Sequence, residues 1–116
     1  MPSQSRKHRG YATQRIAADY VREVFPYVEP TGAGRQGRDL LSTPGVWFEC
    51  KARRGFSPLA ALKQAKADAG SDLPVGILRM DGQGEKSVSE WVAVLRFEDL
   101  MRLLKEAGYG PEDARG

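Results

Sequence analysis

A chain of 116 residues, 41% hydrophobic and 28% charged, suits one globular domain with a modest core and excludes two full ones. Its longest apolar run, residues 91–95, is far below the roughly 18–20 residues of a membrane span, and no apolar stretch follows the basic first residues as in a secretory leader. The expectation is a soluble, cytoplasmic protein with no membrane partner. One cysteine, Cys50, and one histidine, His8, exclude an intramolecular disulfide, a structural zinc site and histidine-dependent nuclease chemistry, which leaves carboxylates, lysines, arginines and hydroxyls for any catalysis.

Charge is uneven: residues 1–54 carry a net +5 and residues 55–116 a net −2. The basic half is where a phosphate-bearing partner would bind. Residues 1–10 (MPSQSRKHRG) read as a flexible basic arm, 11–107 as the domain and 108–116 as a tail. From Tyr11, the residues Ile16, Ala17, Tyr20, Val21, Val24 and Phe25 recur at three- and four-residue spacing, which predicts an amphipathic helix ended by Pro26. A short strand is expected over 27–29, then a glycine-rich loop, PTGAGRQGR.

Two runs, 39–42 and 46–52, flank the turn signal Thr43-Pro44-Gly45 and predict a β-hairpin. In the second run Val46, Phe48, Cys50 and Ala52 alternate with Trp47, Glu49, Lys51 and Arg53, so one face is expected in the core while Glu49 and Lys51 share the other, solvated one. Ser57-Pro58 opens a second helix with the stripe Leu59, Leu62, Ala65 and Ala69. Residues 73–80 read as a strand buried on both faces, 81–85 as a turn and 90–96 as a further strand. Phe97, Leu100, Met101 and Leu104 mark a last helix ended by Gly108.

The chemistry-bearing pattern is Asp39, then Glu49, then Lys51. A hairpin would bring Asp39 beside Glu49 and Lys51, and two carboxylates with the backbone carbonyl of Cys50 suit a hard divalent cation that keeps several waters: Mg2+, with Mn2+ expected to substitute. Lys51 would orient or deprotonate the attacking water in an in-line displacement at phosphorus. The string Gly32 to Gly37 matches a dinucleotide fingerprint in letters, but it leads into a strand, not a helix, and no Walker motif follows, so no nucleotide cofactor is expected. Cys50, on the apolar face, reads as a packed thiol.

With these residues in place the chain resembles the PD-(D/E)XK nuclease superfamily and, within it, the archaeal-type Holliday junction resolvases, over residues 9–104. The matching features are Arg9-Gly10 four residues before Gln14 on the first helix, the glycine-rich loop before Asp39, the strand Glu49-Cys50-Lys51, and Gln64 on the following helix. The sequence departs from the family at Gln14, where an acidic residue is usual, and at Arg38, where a proline is usual. The resemblance implies a restriction-endonuclease-like α/β core, a mixed central sheet of about five strands flanked by helices. It also implies a homodimer that nicks the two like strands of a four-way DNA junction in recombination and repair, with Gln14 and Gln64 added to the catalytic set. Arg6, Lys7, Arg9, Arg15, Thr31, Arg35, Arg38, Arg53 and Arg54 are the expected DNA contacts. The alternatives are a nickase or repair endonuclease of the same fold acting on flaps or duplex, or a noncatalytic DNA-binding module. Trp91, Val92, Val94, Phe97, Leu100, Met101 and Leu104 are the candidate dimer contacts.

Overall fold

A computed structural model describes residues 2–32, 38–53 and 58–111. The order is α1 (Pro2–Val21), β1 (Glu29–Pro30), β2 (Leu40–Leu41), β3 (Val46–Arg53), α2 (Pro58–Ala69), β4 (Leu73–Met80), a 3₁₀ helix (Glu85–Glu90), β5 (Val92–Val94) and α3 (Phe97–Glu106). The fold is α/β. Among the described residues five strands form two sheets instead of one: a mixed sheet ordered β3-β4-β5 and a separate antiparallel pair, β1 with β2.

β3, α2 and β4 form a βαβ unit. β3 and β4 run parallel over their full length, Val46 opposite Leu73 through Arg53 opposite Met80, and α2 makes the crossover. The buried stripe of α2 is Ala61, Ala65 and Ala69, not the expected one through Leu59, which is exposed. Small residues win here because the helix lies close on the sheet: a Cβ on Gly76 would sit 2.8 Å from Val94 Cγ2 and 3.0 Å from the Ala61 Cβ. On the opposite face α1 packs with β3, and Ala17, Ala18, Val28, Leu40, Phe48 and Val75 form the core. Phe25 meets Phe48 edge to face, with ring centroids 6.2 Å apart.

Three expectations are corrected. The basic segment 2–10, read as an arm, continues α1 as helix, and the helix ends at Val21, before Pro26, in a turn closed by Phe25 N–H to Val21 O. Arg22 stabilises that exit by donating to Val28 O at 2.9 Å. Tyr20 and Val24, expected on the buried face, are exposed, whereas Thr13 and Ala18 are buried.

Second, the hairpin is not 39–42 with 46–52. The turn forms, with Val46 N–H donating to Thr43 O and Gly45 at φ 87°, but Ser42 at φ 63° swings the chain away. β2 therefore pairs with β1, Glu29 opposite Leu41 and Pro30 opposite Leu40. The glycine-rich loop thus joins two antiparallel strands, which is not the strand-to-helix setting of a dinucleotide site.

Third, the strand expected over 90–96 is only Val92–Val94, because Glu85–Glu90 winds into the 3₁₀ helix. α3 ends at Glu106 with Gly108 at φ 89° in the left-handed position that closes a helix. None of the other elements packs extensively on α3 among the described residues. No helix of the described residues is long and apolar enough to cross a membrane.

Candidate functional site

β3 pairs with β4 along one edge only, so the backbone groups on its other edge need partners. Asp39 supplies them. Its N–H donates to Phe48 O at 3.4 Å, and its carboxylate Oδ2 accepts the Cys50 N–H at 2.7 Å. In a strand the N–H and C=O of one residue point to the same edge, so the Cys50 carbonyl also faces the Asp39 side. Asp39 and the Cys50 backbone, two of the expected trio, thus meet at one strand edge, without the ladder from which that meeting was inferred.

Gln14, on α1, donates from Nε2 to Asp39 Oδ1 at 3.1 Å, and its Oε1 accepts the Gly32 N–H at 3.2 Å. Thr31 donates to the Asp39 carbonyl from Oγ1 at 3.2 Å and from its backbone N–H at 3.1 Å. A side chain here must donate to a carboxylate and accept from an amide at the same time. A carboxamide does both; an ionised glutamate can only accept.

Glu49 is 2% exposed, a correction to the solvated face expected for it. Alternation placed it correctly opposite Phe48, but α2 covers that face of the sheet as α1 covers the other. Trp47, two residues back on the same face, donates its indole N–H to Glu49 Oε1 at 3.2 Å. Burial pushes the Glu49 carboxyl up to about 7, and the neighbouring Asp39 charge adds to the rise against the opposing effects of Trp47 and Lys51. Asp39 is also raised, chiefly by burial, which outweighs the Cys50 N–H, the Lys51 charge and its hydrogen bond with Glu49. Each acid thus acts on the titration of the other. Lys51, part-buried, lies where its ammonium favours the ionised form of both.

Two desolvated carboxyls with elevated pKa values call for positive charge, and a hard divalent cation matches an all-oxygen donor set. No group of three or more His, Cys, Asp or Glu gathers among the described residues, which offer two carboxylates and a carbonyl here. That suits a cation that retains waters. The Cys50 thiol is held well above its ordinary pKa, first by burial and then by the two carboxylates, so it stays a protonated core group.

The other expected residues are less convergent. Gln64 is exposed on α2 and makes no hydrogen bond to the acid pair. Arg15 is exposed beside Asp19 at 3.9 Å. Arg38 is engaged within the protein, 3.1 Å from Asp72 Oδ2 and stacked 4.5 Å from the Trp47 ring centroid. Arg35 and Arg54 lie outside the described residues, as do the side chains of Arg6, Lys7, Arg9 and Arg53. Trp47 is not among the residues that spacing and charge single out, although the two-residue period that marks Glu49 and Lys51 also puts Trp47 on their face.

In comparisons with known proteins, no family model, no curated protein and no solved structure matches the chain.

Proposed function

We propose that the protein is a magnesium-dependent, structure-selective endodeoxyribonuclease with a restriction-endonuclease-like core, which resolves four-way DNA junctions as a homodimer. The observation that carries this reading is the pairing of part-buried Asp39, bonded to the Cys50 N–H at the edge of β3, with buried Glu49 ten residues on, each acting on the other's titration, with Lys51 on the same strand.

Asp39, Glu49 and the Cys50 carbonyl would hold the cation, which when bound supplies Lewis-acid charge to a phosphodiester. The protein's own groups do the rest. Gln14 and the Cys50 N–H fix both oxygens of Asp39, so the carboxylate cannot rotate away when the site deprotonates. The Lys51 ammonium orients a water for attack and offsets negative charge developing on the phosphoryl oxygens. The burial of Glu49 keeps these interactions in a low-dielectric setting, where each is worth more than in water.

Branched DNA would be recognised by its shape and by phosphate contacts from the basic half of the chain. A four-way junction is nearly two-fold symmetric, and a symmetric dimer presents two sites to it. The test is cleavage of a synthetic four-way junction beside matched duplex, flap and single-strand controls, with and without Mg2+. Paired nicks in the junction only, and only with the metal, are expected. Equal cutting of duplex would make the protein a nickase of the same fold, and binding without cutting in any metal would make it a noncatalytic DNA-binding module.

A further inference from the structure

The acid pair has a neighbour that belongs to neither the expected catalytic set nor the core. Trp47 precedes Glu49 by two residues on β3, so both side chains leave the same face of the strand, and the long indole spans the gap to place Nε1–H 3.2 Å from Glu49 Oε1. The ring is itself held. The Arg38 guanidinium lies over it at 4.5 Å and is tied to Asp72 Oδ2 at 3.1 Å. Asp72 lies just ahead of β4, whose first residue, Leu73, donates to Gly45 O at 2.8 Å, so the clamp is anchored where the turn before β3 meets the start of β4.

We infer that Trp47, clamped by Arg38, is a positioning residue that fixes the Glu49 carboxylate by holding Oε1 and leaving its other oxygen toward Asp39 and the cation. The physical need is plain. Glu49 has three side-chain torsions and is almost fully desolvated, so an oxygen left without a donor would either turn toward another partner or stay protonated. A tryptophan N–H donates and never accepts, so it can hold a carboxylate oxygen but cannot compete for a cation. Arg38 then has a task inside the protein. It occupies the position just before Asp39 and braces the ring that braces Glu49, linking the two acids of the pair through their immediate neighbours.

This inference rests on the proposed role of Asp39 and Glu49, and the experiment separates the two. Trp47→Phe keeps an aromatic face for Arg38 and removes the N–H together with one ring of the indole. In ¹⁵N-labelled wild-type protein the indole N–H resonances of Trp47 and Trp91 are followed as Mg2+ is added, together with the Cys50 amide, and the Mg2+ dependence of junction cleavage is measured for wild type and Trp47→Phe.

The Trp47 indole resonance should move with the same midpoint as the Cys50 amide while that of Trp91 stays. Trp47→Phe should need about 10-fold more Mg2+ for half-maximal cleavage, the cost typical of losing a partner that orients a metal ligand, with KM for the junction unchanged. A Cys50 amide that shifts while the Trp47 indole does not, or an unchanged Mg2+ requirement in Trp47→Phe, would overturn the positioning role and leave the acid pair standing. No Mg2+-dependent shift at either position would overturn the metal-site reading and this inference with it. If Trp47→Phe fails to fold, the wild-type titration still decides, with the two indoles distinguished by Trp91→Phe.

Discussion

Asp39 Oδ2 accepts the backbone N–H of Cys50 at 2.7 Å, so a side chain does at the edge of β3 what a neighbouring strand would otherwise do. One residue thereby both terminates the sheet and begins the candidate site. Structural and chemical demands on that carboxylate can be separated by measurement.

Metal-free stability should depend on pH through the acid pair. A carboxyl whose folded pKa lies above its unfolded value stabilises the fold in its protonated form. Glu49, raised from 4.5 to about 7, has that stabilisation in full below its unfolded pKa and loses it as pH rises through about 7. Asp39 shifts in the same direction. Without metal, the wild type should lose on the order of 2–3 kcal/mol between about pH 4.5 and 8 from this source, whereas Glu49→Gln should show a flatter profile. Mg2+ competes with protons for these carboxyls, so its apparent affinity should rise with pH through about 7. Thermal melts across this range, with and without Mg2+, check both signs; identical profiles for wild type and Glu49→Gln would assign the titration to other groups.

Gln14 should prove to be a bridge and not a substitute ligand. Gln14→Ala removes the donor to Asp39 Oδ1 and the acceptor for Gly32, and should cost about 1–2 kcal/mol by denaturant unfolding. Gln14→Glu would set a third carboxylate against Asp39. It should be less stable than wild type in chelator and should recover more than wild type on adding Mg2+. A Gln14→Glu protein as stable as wild type in chelator would show that the amide donor is dispensable.

Much of the βαβ unit is legible in the amino-acid sequence. Period-two alternation in 46–52, an apolar run in 73–80 and a proline-opened helix between them each report a local preference, and parallel pairing is the ordinary way to join such pieces. The partner of β2 is not legible, because it depends on the backbone of one residue, Ser42, turning to positive φ. The burial of Glu49 escapes for a related reason: alternation says which residues share a face, not which helix will cover it. Asp39, Glu49 and Lys51 can be picked out by residue type and spacing, whereas the Arg38 guanidinium over Trp47 is held by Asp72, 34 positions beyond Arg38, and leaves no local signal.

Gly76 should tolerate no side chain. It pairs with Glu49 on one side and Val94 on the other, and the added methyl of Gly76→Ala would meet Val94 Cγ2 at 2.8 Å and the Ala61 Cβ at 3.0 Å. Lifting α2 to make room costs about 1–3 kcal/mol and also disturbs the cover over Glu49. Gly76→Ala is expected to melt earlier and to bind Mg2+ more weakly; wild-type stability in this variant would contradict the close packing of α2.

Assembly should run through α3. Phe97 is 76% exposed, Met101 55% and Leu100 39%, while Trp91 and Val94 from the expected contact set pack inward on their own chain. An open apolar hollow of about 250 Å³, lined in part by Tyr20, Ile77, Trp91 and Ala93, lies on the α1 face of the sheet. Sedimentation at micromolar concentration is expected to show a dimer, and Phe97→Ser with Met101→Ser a folded monomer. A wild-type monomer, both free and on a junction, would contradict paired nicking and favour a single-site nickase.

The most direct test compares junction cleavage by the wild type with that by Asp39→Asn and Glu49→Gln in saturating Mg2+, alongside junction binding. Each variant removes one charge from the acid pair and leaves the basic residues in place. Both variants should lose at least about 100-fold in rate while binding is kept or tightened. Substantial turnover by both variants would place the chemistry elsewhere in the molecule.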